Sequence, residues 1–378
     1  MKKSEATPKL FEPKEDSAPE YLTLNRSHLL KRLEQLEAVE AINVFRSQLG
    51  KLRDELIQEN SNSSLINFNP ADLVEYKFSL LFSQIDQMLS ARTLERARYY
   101  LKRLIKSLSQ SRISRYNDLD LNRWQEYEEI LTDSLWIFDK RDNSGAHLGW
   151  YWGNFIPQIP RQLMLRFTKK GEWVLDPFVG SGTTLIECKR LGRNGVGIEL
   201  NPRVADEAMK LIEKEPNLRK VETRVIQGDS RKIDYKKILS ESGIKNFQLA
   251  ILHPPYFDII KFSEQPEDLS QSKTIKEFLK SFGEVVENLT PYLEWGRYMA
   301  VVIGDKYQQG EWLPLGFYCM EEVKKQGYTL KGIIVKNFDE TRSKRNQKEL
   351  WRYRALVGGF YIFKHEYILL FKKGRKAK

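Results

Sequence analysis

Cysteine and histidine are scarce: two cysteines, Cys188 and Cys319, and four histidines among 378 residues. Two thiols can frame neither a disulfide-stapled fold nor a four-thiolate zinc site, and with so few imidazoles a metal centre is not expected. Long apolar runs are also missing. None approaches the ~20 residues that span a bilayer, so no membrane segment is expected. The opening MKKSEATPKLFEPKEDSAPE is polar and carries prolines, without the apolar stretch of a secretory signal. It reads as a flexible tail over residues 1–20 of a cytoplasmic protein. Positive charge is what the chain has in surplus: 62 Lys and Arg against 51 Asp and Glu, a net +11. With 41% hydrophobic and 12% aromatic residues it can bury a core, and its charge suits a polyanionic partner.

From Ser27 to Glu59 the residues Leu29, Leu33, Leu36, Ile42, Phe45, Leu49, Leu52 and Leu56 recur at threes, fours and one six, a helical spacing. Helical stretches are also expected over 71–89, 92–110 and 120–138, so residues 21–145 read as a helical domain. The turn residues Asp142-Asn143-Ser144-Gly145 mark its end. Over residues 146–378 short β-rich runs alternate with helices, which predicts an α/β domain on a largely parallel sheet. Seven strands are expected: Trp173–Asp176, Gly195–Glu199, Arg224–Gln227, Leu249–Leu252, Tyr298–Gly304, Leu330–Val335 and Phe360–Phe371. A basic linker with no obvious crossover helix joins the last two, which predicts an antiparallel pair.

The first strand of that domain runs into Pro177-Phe178-Val179-Gly180-Ser181-Gly182-Thr183-Thr184 and then a helix. Glycines in such a turn let the backbone approach a ligand closely. Glu199 follows Asp176 by 23 residues, at the end of the next strand, where a carboxylate can accept from both hydroxyls of a ribose. Asp229 and Ser230 end the strand after that, where Asp229 could accept from an adenine amino group. The spacing suits a nucleoside ligand. A phosphate loop would need Gly-Lys-Ser/Thr, and a nicotinamide site would need a third glycine where Leu185 stands.

The apolar strand Leu249–Leu252 leads straight into His253-Pro254-Pro255-Tyr256. Paired prolines at a strand end remove two N–H donors and stiffen an edge that presents carbonyls. Here the chain resembles the S-adenosylmethionine-dependent amino-methyltransferases that modify exocyclic amines of DNA bases. Their pattern is Asp/Asn/Ser-Pro-Pro-aromatic after the fourth strand, with Asp-Pro-Phe-x-Gly-Ser-Gly-Thr-Thr after the first. Asp176–Thr184 matches the second in full; Pro254, Pro255 and Tyr256 match the first, and His253 departs from it. Asn154-Phe155-Ile156-Pro157 resembles the cofactor-side segment of the family, in the variety familiar from cytosine-N4 enzymes.

The resemblance spans about 150–371 and implies a Rossmann-like seven-stranded methyltransferase sheet with S-adenosylmethionine as cofactor. It places cofactor binding at Asn154, Phe155, Pro157, Asp176, Pro177, Phe178, Gly180, Ser181, Gly182, Thr183, Thr184, Glu199, Asp229 and Ser230, and catalysis at His253, Pro254, Pro255 and Tyr256. In that scheme the Pro254 carbonyl and a neutral His253 draw the amine hydrogens out of plane, and Tyr256 stacks on the base. The implied activity is site-specific DNA methylation, cytosine N4 ahead of adenine N6, with a cognate restriction endonuclease as partner. Two other readings compete: a tRNA guanine-N2 methyltransferase, and a catalytically silent DNA-binding subunit. Nucleic-acid contact is expected from Arg92, Arg96 and Arg103 on one helical face, and from Arg342, Lys344, Arg345, Lys348, Arg352 and Arg354 between the last two strands.

Overall fold

A computed structural model describes residues 20–61, 72–338 and 348–374. They divide into two compact units: 20–61, 72–113 and 119–128 in the first, and 114–118, 129–338 and 348–374 in the second. The turn Asp142–Gly145 therefore lies inside the second unit and does not bound it.

In the first unit, Leu22 and Leu24 alternate with more exposed neighbours along β1 (Tyr21–Asn25), as do Val74 and Tyr76 along β2 (Leu73–Lys77), and the two strands pair antiparallel. Period two turns those four side chains to one side. They join a core with α1 (Arg26–Glu37), α2 (Ile42–Ser61), α3 (Phe78–Leu89) and α4 (Leu94–Ser109), centred on Leu33, Phe45, Leu49, Leu81 and Leu101. The unit is mainly helical, as expected, with this small sheet added. The spacing over Ser27–Glu59 does not form one helix: the six-residue gap between Leu36 and Ile42 is where the chain turns, capped by the Ala38 N–H on the Leu36 carbonyl. The expected helix over 120–138 is also replaced, by a 3-10 turn at Leu121–Glu126 in the first unit and the edge strand β3 (Leu135–Trp136) in the second.

The second unit alternates α5 (Gln158–Phe167), β4 (Trp173–Asp176), α6 (Thr183–Leu191), β5 (Asn194–Glu199), α7 (Pro202–Lys214), β6 (Thr223–Gln227), α8 (Tyr235–Glu241), β7 (Phe247–Leu252), α9 (Ile275–Leu289) and β8 (Leu293–Ile303). A hairpin of β9 (Lys306–Gln308) and β10 (Glu311–Leu313) follows, then α10 (Leu315–Lys325), β11 (Tyr328–Asn337), α11 (Lys348–Gly358) and β12 (His365–Lys373). The main sheet has the order β3-β11-β12-β8-β7-β4-β5-β6. The seven expected strands are its last seven, with two-residue β3 added at the edge. β12 lies antiparallel between β11 and β8, and β8, β7, β4, β5 and β6 run parallel. The linker before β12, read as lacking a helix, carries α11.

Strand alternation feeds two apolar layers. Val174, Leu249 and Ile251 face one layer with α5, α6 and α7; Leu175, Ala250 and Leu252 face the other with α8, α9 and α10. Helices on both faces explain why the central strands read as continuous apolar runs. From β4 the chain first builds outward through β5 and β6, then returns to lay β7 on the other side of β4. That reversal opens a crevice at the C-terminal ends of β4 and β7, the position where open α/β sheets take ligands.

Candidate active site

The glycine turn leaves the C-terminal end of β4. Asp176, 1% exposed, accepts the Phe178 N–H at 3.0 Å and the Thr184 hydroxyl at 2.5 Å. Both its oxygens thus hold the turn, and it does not line the cavity described below. Burial raises its pKa to about 7, and the nearby Glu199 carboxylate adds to that. Gly180 and Gly182 take φ of +50° and +86°, a region open to glycine. A Cβ on Gly182 would stand 2.8 Å from Ile212 Cδ1, so this residue also lets α6 approach α7. Asn154 clamps the start of α6: its Nδ2 donates to Ser181 Oγ at 2.6 Å and its Oδ1 accepts the Thr183 hydroxyl at 2.8 Å. Phe155 and Pro157 are buried at the start of α5, and Phe155 sets its ring edge-on to His253 with centroids 4.8 Å apart.

Glu199 ends β5 beside this turn. It accepts the Gly180 N–H at 3.1 Å and the Asn201 N–H at 2.9 Å, and burial raises its pKa. Asp229, beyond β6, is gripped by Arg231, whose Nε lies 3.0 Å from one oxygen and Nη2 2.8 Å from the other. Ser230 donates to the Pro177 carbonyl at 2.6 Å, tying the ends of β4 and β6 together.

At the end of β7, His253 Nε2 lies 3.2 Å from Tyr256 Oη, and the Tyr256 hydroxyl donates to Glu366 at 2.6 Å. The other Glu366 oxygen is 3.1 Å from Lys336 Nζ. Burial lowers His253 to about 4. Burial alone would raise Glu366, but Lys336, joined by His253 and the Tyr256 hydroxyl, more than offsets it and its pKa falls below the ordinary value.

One cavity of about 1340 Å³ takes in both strand ends. Pro177, Phe178, Val179, Gly180, Thr183, Glu199, Asp229 and Ser230 line one part of it, and His253, Pro254, Pro255 and Tyr256 another. Asn154 and Phe155 reach it as well, whereas Pro157, Asp176, Ser181, Gly182 and Thr184 act behind its wall. Sequence reasoning passed over Lys336 and Glu366, both lining, and over the aromatic segment Leu148–Trp152, where Trp152 is 59% exposed. A signal existed for the first two: each is a charge at an inward position of an apolar strand, Lys336 in step with Ile334 and Glu366 with Ile368.

Among the basic residues, Arg96 and Arg103 lie on the exposed side of α4 with Tyr99, and the Arg96 guanidinium stacks over Tyr99 and Tyr100, whereas Arg92, expected on the same helical face, is exposed in the turn before the helix, ahead of its Thr93 cap. Arg352 and Arg354 are exposed on α11. Arg342, Lys344 and Arg345 fall outside the described residues, as does the side chain of Lys348.

A family model for DNA methylases matches residues 40–210, a range that holds the glycine turn and Glu199 but stops before His253. Several Type II methyltransferases are similar. M.MjaII of Methanocaldococcus jannaschii is 35% identical over 95 residues, 23% of this chain and 18% of that protein. M2.DpnII of Streptococcus pneumoniae is 46% identical over 100 residues, 25% and 34% respectively. Over these stretches the chain is similar to the DNA methylases. The tRNA (guanine(10)-N2)-dimethyltransferase of M. jannaschii is also similar, 30% identical over 135 residues, 35% of this chain and 37% of that protein. The chain thus spans less than two fifths of the length of each of these relatives. S-adenosylmethionine is the cofactor that the sequence resemblance implies, and the residues of the crevice fit it. Glu199 offers a carboxylate to vicinal hydroxyls, Gly180 keeps side-chain atoms off the turn, and the acids Glu199 and Asp268 along the wall suit a cationic ligand, the Asp229 carboxylate being already paired with Arg231.

Proposed function

We propose that this chain transfers a methyl group from S-adenosylmethionine to an exocyclic amine of a DNA base, cytosine N4. The observation that carries the reading is the meeting of the glycine turn and His253-Pro254-Pro255-Tyr256 in one cavity at the sheet's switch point. S-adenosylmethionine supplies an electrophilic methyl on a sulfonium. The chain must present an amine whose lone pair is delocalised into its ring. The Pro254 carbonyl and the His253 imidazole act as acceptors that draw the amino hydrogens out of plane and aim the lone pair, a task of positioning and electrostatics. No thiol is needed, and Cys188 and Cys319 are both buried. A neutral imidazole has one acceptor nitrogen, and burial keeps His253 neutral down to about pH 4.

A base in a duplex reaches this cavity by leaving the stack. Tyr256 lines the cavity as an aromatic face for it. The cytosine assignment rests on the Asn154–Pro157 segment, and the exposed arginines of α4 and α11 supply phosphate contacts. The work of such an enzyme is site-specific marking in the cytoplasm, with a cognate restriction endonuclease as counterpart. The similarity to a tRNA guanine-N2 enzyme supports a second reading in which the same site acts on RNA. Mass spectrometry of nucleosides from cells expressing the protein decides between them. A gain of N4-methylcytosine is expected; N6-methyladenine alone overturns the cytosine assignment, and modified tRNA with unmodified DNA overturns the DNA substrate. Cofactor binding without any methylated product indicates the silent subunit.

A further inference from the structure

Behind His253 stands a proton chain that ends on two charged residues of neighbouring strands. Lys336 and Glu366 face each other in the antiparallel register of β11 and β12, 5% and 7% exposed. The ammonium holds the carboxylate ionised, and an ionised carboxylate can only accept. The Tyr256 hydroxyl, 2.6 Å from Glu366, therefore spends its single proton there. With that proton committed, Tyr256 Oη faces His253 Nε2 with lone pairs alone, so the 3.2 Å contact requires a proton on Nε2. A neutral imidazole protonated at Nε2 is unprotonated at Nδ1.

We infer that Glu366 is a positioning residue that fixes the tautomer of His253, leaving Nδ1 as the acceptor for the substrate amine. This rests on the proposed methyl transfer for its purpose, though not for its geometry. Lys336 takes part by fixing the sense of the chain. In Glu366→Gln the amide oxygen turns to Lys336 Nζ, which sends the amide NH2 toward Tyr256. The tyrosine hydroxyl then donates to His253 Nε2, and the proton of the ring moves to Nδ1. The variant keeps the shape of the site and reverses its polarity, so Nδ1 would meet an amine hydrogen with a hydrogen of its own.

The test is long-range 1H–15N correlation spectroscopy of the full chain labelled at histidine, with His253 assigned by its loss in His253→Gln. With four histidines in the chain the spectrum is sparse. Expected are a protonated Nε2 and a bare Nδ1 in the wild type, the opposite in Glu366→Gln, and a mixture of both in Tyr256→Phe. On DNA, Glu366→Gln is expected to lose at least tenfold in kcat with its affinity for S-adenosylmethionine unchanged. A wild-type ring protonated at Nδ1, or the same tautomer in wild type and Glu366→Gln, overturns the inference. So does wild-type kcat in a variant whose tautomer has reversed. The spectra need no substrate, so a failure to methylate DNA defeats the functional reading separately, while the tautomer result still decides the proton chain.

Discussion

Thr184 donates its hydroxyl to Asp176 at 2.5 Å, and the same carboxylate takes the Phe178 N–H at 3.0 Å, so both ends of the glycine turn close on one buried acid. Burial lifts that acid from 3.8 to about 7. A carboxyl whose pKa is higher in the folded than in the unfolded chain stabilises the fold fully below its unfolded value. That contribution is lost as pH rises through the folded value. The window here runs from about 4 to about 7. Asp176→Asn keeps the shape without the titration. Urea denaturation from pH 4 to 8 should show the wild type losing up to about 4 kcal/mol relative to the variant, at about 1.4 kcal/mol per pH unit. Parallel curves would refute the assignment.

Glu199 differs from Asp176 in lining the cavity. Glu199→Gln removes a charged acceptor, worth roughly 1.5–3 kcal/mol, and should weaken S-adenosylmethionine binding by about ten- to a hundredfold. Calorimetry checks this. Asp176, expected from sequence to touch the cofactor, should affect binding through the turn it holds, with loss of stability accompanying any loss of affinity. A Glu199→Gln protein that binds as tightly as the wild type would remove this carboxylate from the cofactor site.

What the sequence disclosed and what it hid divide by the distance over which residues cooperate. The glycine turn, Glu199 and the paired prolines were legible because each is a local device: a strand end, a turn with φ above zero, a backbone without donors. The strand β1 was legible in principle, since Leu22 and Leu24 alternate, but five residues give a weak period beside long helical stripes. Lys336 and Glu366 lie 30 positions apart in the chain and meet through the register of β11 on β12, which no spacing rule encodes. The role of His253 was hidden in the same way, because its ring reaches Tyr256, and through it Glu366, only in the folded chain.

His253→Ala should leave cofactor affinity nearly intact, since the imidazole packs against the Tyr256 and Phe155 rings and not on the glycine turn. Single-turnover methylation should fall at least tenfold. The pH profile gives a second readout. An ordinary histidine would bring acid inhibition near 6.5, whereas burial places the protonation of His253 at about 4. The wild type should hold its rate from pH 7 to 5 as far as this group is concerned. A limb near 6.5 that disappears in His253→Ala would contradict the burial of the ring, and wild-type rates in the variant would show that the backbone carbonyl suffices.

The two exposed basic faces can be separated by salt. Arg96 and Arg103 stand on α4 and Arg352 and Arg354 on α11, each set replaceable by glutamine without touching the cavity. Removing one arginine–phosphate pair should reduce the slope of log affinity against log salt by about 0.9. Arg96 is held over two tyrosine rings, which fixes its guanidinium in place and reduces the rotamer freedom it gives up on binding. Titrating a labelled duplex at several salt concentrations should therefore give a slope lower by nearly two in each double variant and by nearly four in the quadruple one. A double variant whose slope matches the wild type marks its face as solvated surface with no phosphate against it. Binding that weakens while the slope stays constant would point instead to poorer packing under the arginine stems.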